Sequence, residues 1–173
     1  MSTLALIGSG NILFCDEGIG LYASEYIKSN YSFSPPIDIY DGGVLGMRFM
    51  EIVAEYDNLI IANTSSSKTH AIGDIEHISH DELLEQNHIH KTANELEIAQ
   101  MLQSCVMMDR CAAVEMISVV AEDIMSVKIA LTDSMIEAFD NYVAEIINSI
   151  KKYNISVSYS YQLSLSEIIA KNL

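Results

Sequence analysis

The chain alternates short, continuous apolar runs with stretches whose apolar residues recur every three or four positions. Leu4-Ala5-Leu6-Ile7, within residues 3–7, is too short for a helix and reads as a buried strand. Ile19, Ala23, Tyr26 and Ile27 then share one helical face up to about Tyr31, before Ser34-Pro35-Pro36 breaks the chain. Ile37-Asp38-Ile39-Tyr40 reads as a second strand, and Leu45, Phe49, Ile52 and Val53 give helical spacing over 45–55. Leu59-Ile60-Ile61-Ala62 is a third strand, Ile75–Ile78 a fourth, and residues 116–121 a fifth. Residues 81–91 read as a polar loop, and 93–108 as a helix with Leu96, Ala99 and Leu102 in register. The clearest helix spans 132–151, through Met135, Ile136, Phe139, Val143, Ile146, Ile147 and Ile150. Thr132 is placed to cap it, and Lys151 and Lys152 suit its carboxyl-terminal dipole. Residues 155–161 alternate apolar and polar, as an edge strand does, and could instead meet a partner.

Strands alternating with helices predict an α/β fold with a mostly parallel, twisted sheet covered on both faces. No internal repeat or linker divides the sequence, so residues 1–173 are read as a single domain. In such a fold, sites gather beyond the carboxyl ends of the strands. Four polar clusters fall there: Asn11 to Glu17, Asp41 to Gly43, Asn63 to Ser67, and Ala121-Glu122-Asp123. Seven of the eight glycines precede residue 47, which concentrates backbone freedom around the first two clusters.

Charge narrows the partners. Against 24 acidic residues stand 9 Lys plus Arg, a net charge of −15, which argues against nucleic acid and anionic membrane surfaces. No apolar run approaches the roughly 18 residues of a spanning helix, and Met1-Ser2-Thr3 lacks a signal-peptide pattern. A cytoplasmic location is the expectation. Cys15, Cys105 and Cys111 form no C-x-x-C pair and are read as reduced thiols.

Three chemistries compete for these clusters. A dinucleotide site is disfavoured because Leu13 stands where G-x-G-x-x-G needs its third glycine, and Asp16 and Glu17 would repel a pyrophosphate. A divalent metal site is supported by Asp16, Glu17 and five histidines (His70, His77, His80, His88 and His90), of which the first three read as exposed loop residues. A nucleophilic hydrolase lacks a G-x-S-x-G elbow, and the carboxylates beside Cys15 would raise its thiol pKa.

Gly8-x-Gly10-Asn11, Asp16-Glu17-Gly18-x-Gly20, Asp41-Gly42-Gly43-x-x-Gly46-Met47 and a strand ending at Asn63 together resemble the nickel–iron hydrogenase maturation endopeptidases. Ala130-Leu131-Thr132, before the long helix, is similar to that family's entry to its last helix. The resemblance covers about residues 3–152 and leaves 153–173 as a carboxyl-terminal extension. It implies a three-layer αβα sandwich and an endopeptidase that removes the carboxyl-terminal extension of a nickel–iron hydrogenase large subunit after nickel insertion. It also implies that the nickel is supplied by that precursor, the partner, and recognised by Glu17, by the residue at position 63 and by a histidine. The histidine is carried over to His90, with His88 in reserve. Asp16, Asp41, Gly42 and Gly43 are expected to shape the cleft. The sequence departs from the pattern at three places: Asn63 stands where the family has Asp, Val44 where it has Thr, and Ala121-Glu122-Asp123 at a usual turn. Asn63 brings one negative charge fewer and cannot act as a carboxylate base. The chain therefore reads either as a divergent protease or as a relative that binds the large subunit, or another nickel protein, without cutting.

Overall fold

The computed structural model describes residues 3–43, 48–85, 92–107 and 111–173. The strands are β1 (Leu4–Gly8), β2 (Tyr31–Ser34), β3 (Asp38–Asp41), β4 (Asn58–Ser65), β5 (Ile75–Ile78), β6 (Ala113–Val120) and β7 (Ser156–Tyr159). The helices are α1 (Ile19–Asn30), α2 (Arg48–Glu55), α3 (His80–Leu84), α4 (Ala93–Val106), α5 (Asp133–Lys151) and α6 (Leu165–Ala170), with a 3-10 turn at Cys15–Gly18 before α1. A five-stranded sheet has the order β3-β1-β4-β6-β5. All its pairings are parallel except β5 with β6.

Strand alternation sorts the core into two layers. Leu4, Leu6, Ile60, Ala62, Ile117 and Val119 face α1 and α5. Ala5, Ile7, Leu59, Ile61, Val114 and Met116 face the opposite side, where they pack with residues of α2, α3 and α4. The result is the three-layer α/β sandwich expected from the pattern. In α5 the buried face runs through Met135, Phe139, Tyr142, Val143, Ile146, Ile147 and Ile150. Leu96 and Ile136, expected on core faces, stand 47% and 49% exposed, because each lies at the margin of its helix's buried stripe.

Local chemistry sets the helix boundaries. Ser79, Thr92 and Ser164 each close a capping box with the glutamate three residues on, starting α3, α4 and α6. Thr132 caps α5, its side chain accepting from the Met135 amide. Part of the region expected to be a polar loop thus opens with α3.

The tail does not form an edge of the main sheet. β7 pairs antiparallel with β2, making a separate two-stranded sheet, with the Tyr31 and Tyr159 rings 5.0 Å apart. Asn30, buried at the end of α1, fastens the segment between β7 and α6. Its Nδ2 donates to the carbonyls of Tyr26 and Leu163, and its Oδ1 accepts from the amides of Gln162 and Leu163. Ile168 of α6 is then buried in the α1–α5 layer.

Register places the strand ends. Gly8 is level with Asp41 on one side and Ala62 on the other, and Asn63 is level with Ser118. The next row, Ser9 and Gly42, therefore follows the carboxyl ends of β1 and β3, level with Asn63 near the end of β4. β1 hands over to α1 on one face of the sheet, whereas β3 hands over to α2 on the other. The chain runs from β1 outward to β3 and then returns to β4 on the other side of β1, so the strand order reverses between β1 and β4, the topological switch point at which open α/β sheets offer a crevice.

Candidate active site

The turn after β1 is held in a conformation that needs glycine. Gly10 has φ of +140°, and a Cβ there would overlap the carbonyl oxygen of Glu17. The Asn11 amide donates to that same oxygen at 3.2 Å, and the Glu17 amide donates to Phe14 at 3.1 Å. Gly20 is equally constrained: a Cβ would collide with the carbonyls of Ser9 and Ala62. Close approach of α1 to β4 follows.

Asp16 is completely buried and ties three loops together. Its Oδ1 accepts from the Thr132 amide at 2.7 Å. Its Oδ2 accepts from the amides of Glu122 and Asp123 at 3.2 and 2.9 Å, and from the Thr132 hydroxyl at 3.0 Å. The Asp16 amide in turn donates to the Asp123 carbonyl, and the Cys15 amide to Lys128. The acid pair is thereby divided. Asp16 works from behind the surface as a strut, while Glu17 remains part-exposed, and burial pushes its carboxyl pKa above the ordinary range.

Asn63 reaches the same rim from β4. The hydroxyl of its neighbour Thr64 lies 3.2 and 3.3 Å from the carbonyl oxygens of Asp16 and Glu17, locking the 3-10 turn onto β4. Asn63 itself is fully buried, on the sheet face of Leu59 and Ile61. Its Nδ2 donates to the Thr64 carbonyl at 2.9 Å and lies 3.7 Å from the Met116 sulfur. Among the described residues its Oδ1 has no hydrogen-bond partner, and neither has the buried Oγ of Ser118, its register partner on β6. Tyr142 of α5 supports this row, its hydroxyl 2.9 Å from the carbonyls of both Asn63 and Ile117.

The structure brings Glu17 and Asn63 to one rim through adjacent strands. Asp41 and Gly43, expected to shape the cleft, line a groove with Gly10 and Asn11. Gly42 extends the ladder beside them, its amide donating to the Gly8 carbonyl. His90 and His88 lie outside the described residues, as do Val44, Gly46 and Met47. The other histidines are engaged elsewhere. His70 pairs with Glu76, His77 lies between Glu115 and Glu145, and His80 Nδ1 accepts from the Val114 amide. Among the described residues no group of three or more His, Cys, Asp or Glu could hold a metal ion. Cys15 is buried, and its thiol pKa is raised first by that burial and then by Asp16 and Asp123, so it is a poor nucleophile. Sequence reasoning missed the role of Thr132 as a donor to Asp16, and it missed Ser118. The only sign of the latter was a serine inside the apolar run Met116–Val120.

A family model described as HycI, hydrogenase maturation protease, matches residues 21–149. The chain belongs to the hydrogenase maturation protease family. A 70-residue stretch, 40% of this chain, is 39% identical to the hydrogenase 2 maturation protease of Escherichia coli K12, covering 43% of that protein. A 58-residue stretch, 34% of this chain, is 40% identical to the hydrogenase expression/formation protein HupD of Rhizobium leguminosarum bv. viciae, covering 29% of it. The matched stretches thus span less than half the length of these curated relatives. In fold, the chain resembles the hydrogenase maturating endopeptidase HybD from E. coli, with a TM-score of 0.82 at 24% identity, over 91% of this chain and 97% of that one. It also resembles HybD from Thermococcus kodakarensis, with a TM-score of 0.70 at 20% identity, over 86% and 98%.

The family match begins just after Gly20, so it contains Asp41 and Asn63 but not Glu17. It ends before β7 and α6, which lie beyond the matched span. Among the described residues, no helix of this family member is long and apolar enough to cross a membrane.

Proposed function

We propose that this chain is a cytoplasmic endopeptidase that removes the carboxyl-terminal extension of a nickel–iron hydrogenase large subunit precursor once nickel has been inserted. Family membership supports the reaction class, and the observation that carries the site is the convergence of Glu17 and Asn63 on one rim, joined through Thr64. Nickel belongs to the substrate in this reading. Glu17 supplies a carboxylate, His90 an imidazole and Asn63 a neutral amide oxygen. The Asn63 Oδ1 fits such a role chemically, since it is an acceptor with no partner among the described residues, and the amide nitrogen beside it is already committed to Thr64.

A second reading is favoured by the same asparagine. A neutral donor sealed from solvent gives a weaker hold on a cation than a carboxylate, and no base. A binding or chaperone role toward the large subunit, without cleavage, follows from that. The test is incubation with nickel-loaded precursor from the same genome, following loss of its tail by mass spectrometry, with Glu17→Ala alongside. Cleavage that requires nickel and Glu17 establishes the peptidase. Stable complex formation with an intact tail, converted to cleavage by Asn63→Asp, establishes the binding role instead.

A further inference from the structure

The two glycine-rich turns after β1 and β3 leave a groove of about 450 Å³ between them, within the range of roughly 300–1,000 Å³ typical of ligand sites. One wall is Gly10 to Leu13, the other Asp41 and Gly43, and α1 forms the floor through Leu21, Tyr22 and Glu25. The far wall is α6, with Ile168, Lys171 and Asn172. That wall lies beyond the family match, yet it is firmly held: Ile168 is 1% exposed, and Asn30 fastens the segment leading into α6. The apolar part is not closed over, since Leu13 is 50% exposed at the rim. Among the described lining residues the acids Glu25 and Asp41 outnumber the single cation Lys171, on a chain of net charge −15. The hydroxyl of the floor residue Tyr22 is buried without a hydrogen-bond partner among the described residues.

Resting on the peptidase reading above, we propose that this groove receives the precursor's carboxyl-terminal extension as an extended segment, with α6 acting as a specificity wall. An apolar side chain of the tail packs among Ile12, Leu13 and Leu21, and a basic side chain faces Glu25 and Asp41. An extended peptide suits the shape because the walls are loops and a helix edge, and the glycine turns let a backbone approach closely. A basic residue suits the charge, and its attraction to Glu25 and Asp41 falls as salt rises.

The test measures binding of nickel-loaded precursor, and of the same large subunit ended at its mature terminus, to the full chain and to Leu13→Glu and Glu25→Lys. Both sites are at least partly exposed, and thermal melts confirm that the variants fold. The wild-type chain is expected to prefer the precursor by about tenfold or more. Each variant is expected to lose that preference while still binding the truncated subunit. Replacing the tail's basic residues with Glu is expected to restore preference toward Glu25→Lys. Hydrogen exchange is expected to slow in residues 10–13 and in α6 with precursor only. Variants that keep the full preference, or protection confined to other segments, overturn the groove assignment while Glu17-dependent cleavage keeps the peptidase reading intact. Failure of the wild-type chain to bind or cut the precursor overturns both.

Discussion

Replacing Asn63 with the family's aspartate is an informative perturbation, because the structure sets both its cost and its pH dependence. The Asn63 Nδ2 donates to the Thr64 carbonyl inside a fully buried site. An ionised carboxylate there places an acceptor against an acceptor and brings an uncompensated charge into the core, costing several kcal/mol. Taking up a proton restores a donor toward Thr64, and the cost of doing so sets a ceiling. From an ordinary pKa of about 3.9, protonation costs about 4 kcal/mol at pH 7 and about 1.5 kcal/mol at pH 5. Asn63→Asp is therefore expected to lose about 3–4 kcal/mol at pH 7, a fall in Tm of roughly 6–16 °C, and at most about 1.5 kcal/mol at pH 5. The sign follows from proton binding. The folded-state pKa of the new carboxyl is raised, the native state holds more protons than the unfolded state, and stability falls as pH rises above the ordinary value. Urea unfolding of both proteins at pH 5 and pH 7 measures the difference. A penalty below about 1 kcal/mol at both pH values, or one equal at the two, would refute the buried, donor-dependent geometry assigned to Asn63.

Three further outcomes are expected. Asp16→Ala strips an acceptor from the amides of Glu122, Asp123 and Thr132; urea unfolding should show a loss of at least about 3 kcal/mol. Burial alone would push the Glu115 carboxyl up, but bonds from Ser149, His77 and Lys152 hold its pKa below the ordinary 4.5. Its contribution is present above that value and fades as pH falls through the lowered one, so Glu115→Gln should flatten the acid limb of the Tm–pH curve. Asn30→Ala removes three hydrogen bonds between α1 and the tail, and one to the Tyr26 carbonyl within α1. Amide exchange in residues 160–173 should accelerate by roughly tenfold or more, with β1, β4 and β6 unchanged.

Much of the fold was legible because its determinants are local. Continuous apolar runs such as Leu59–Ala62 have no solvated face and are too short for a helix, so they read as strands buried on both sides, and that calls for helices on both faces. The 3.6-residue stripe of α5 and the capping threonine before it are likewise written in neighbouring residues. The Gly10 turn announced itself as glycine, and its motif pointed to the family that the match over residues 21–149 shows.

Tertiary structure decided what local pattern cannot encode. Asp16 and Glu17 are adjacent acids with one sequence signature, yet loops more than a hundred residues away bury the first as a strut and leave the second part-exposed. The pairing of β7 with β2 joins segments over a hundred residues apart, so no periodicity in either announces the other. The meaning of Asn63 also needed three dimensions. Its identity was plain in the sequence, but the commitment of its amide nitrogen to Thr64, the lone oxygen beside it and the buried Ser118 hydroxyl in register arise only when β4 and β6 pair. A residue's type is a property of the chain, whereas its solvation and its hydrogen-bond partners belong to whatever the fold packs around it.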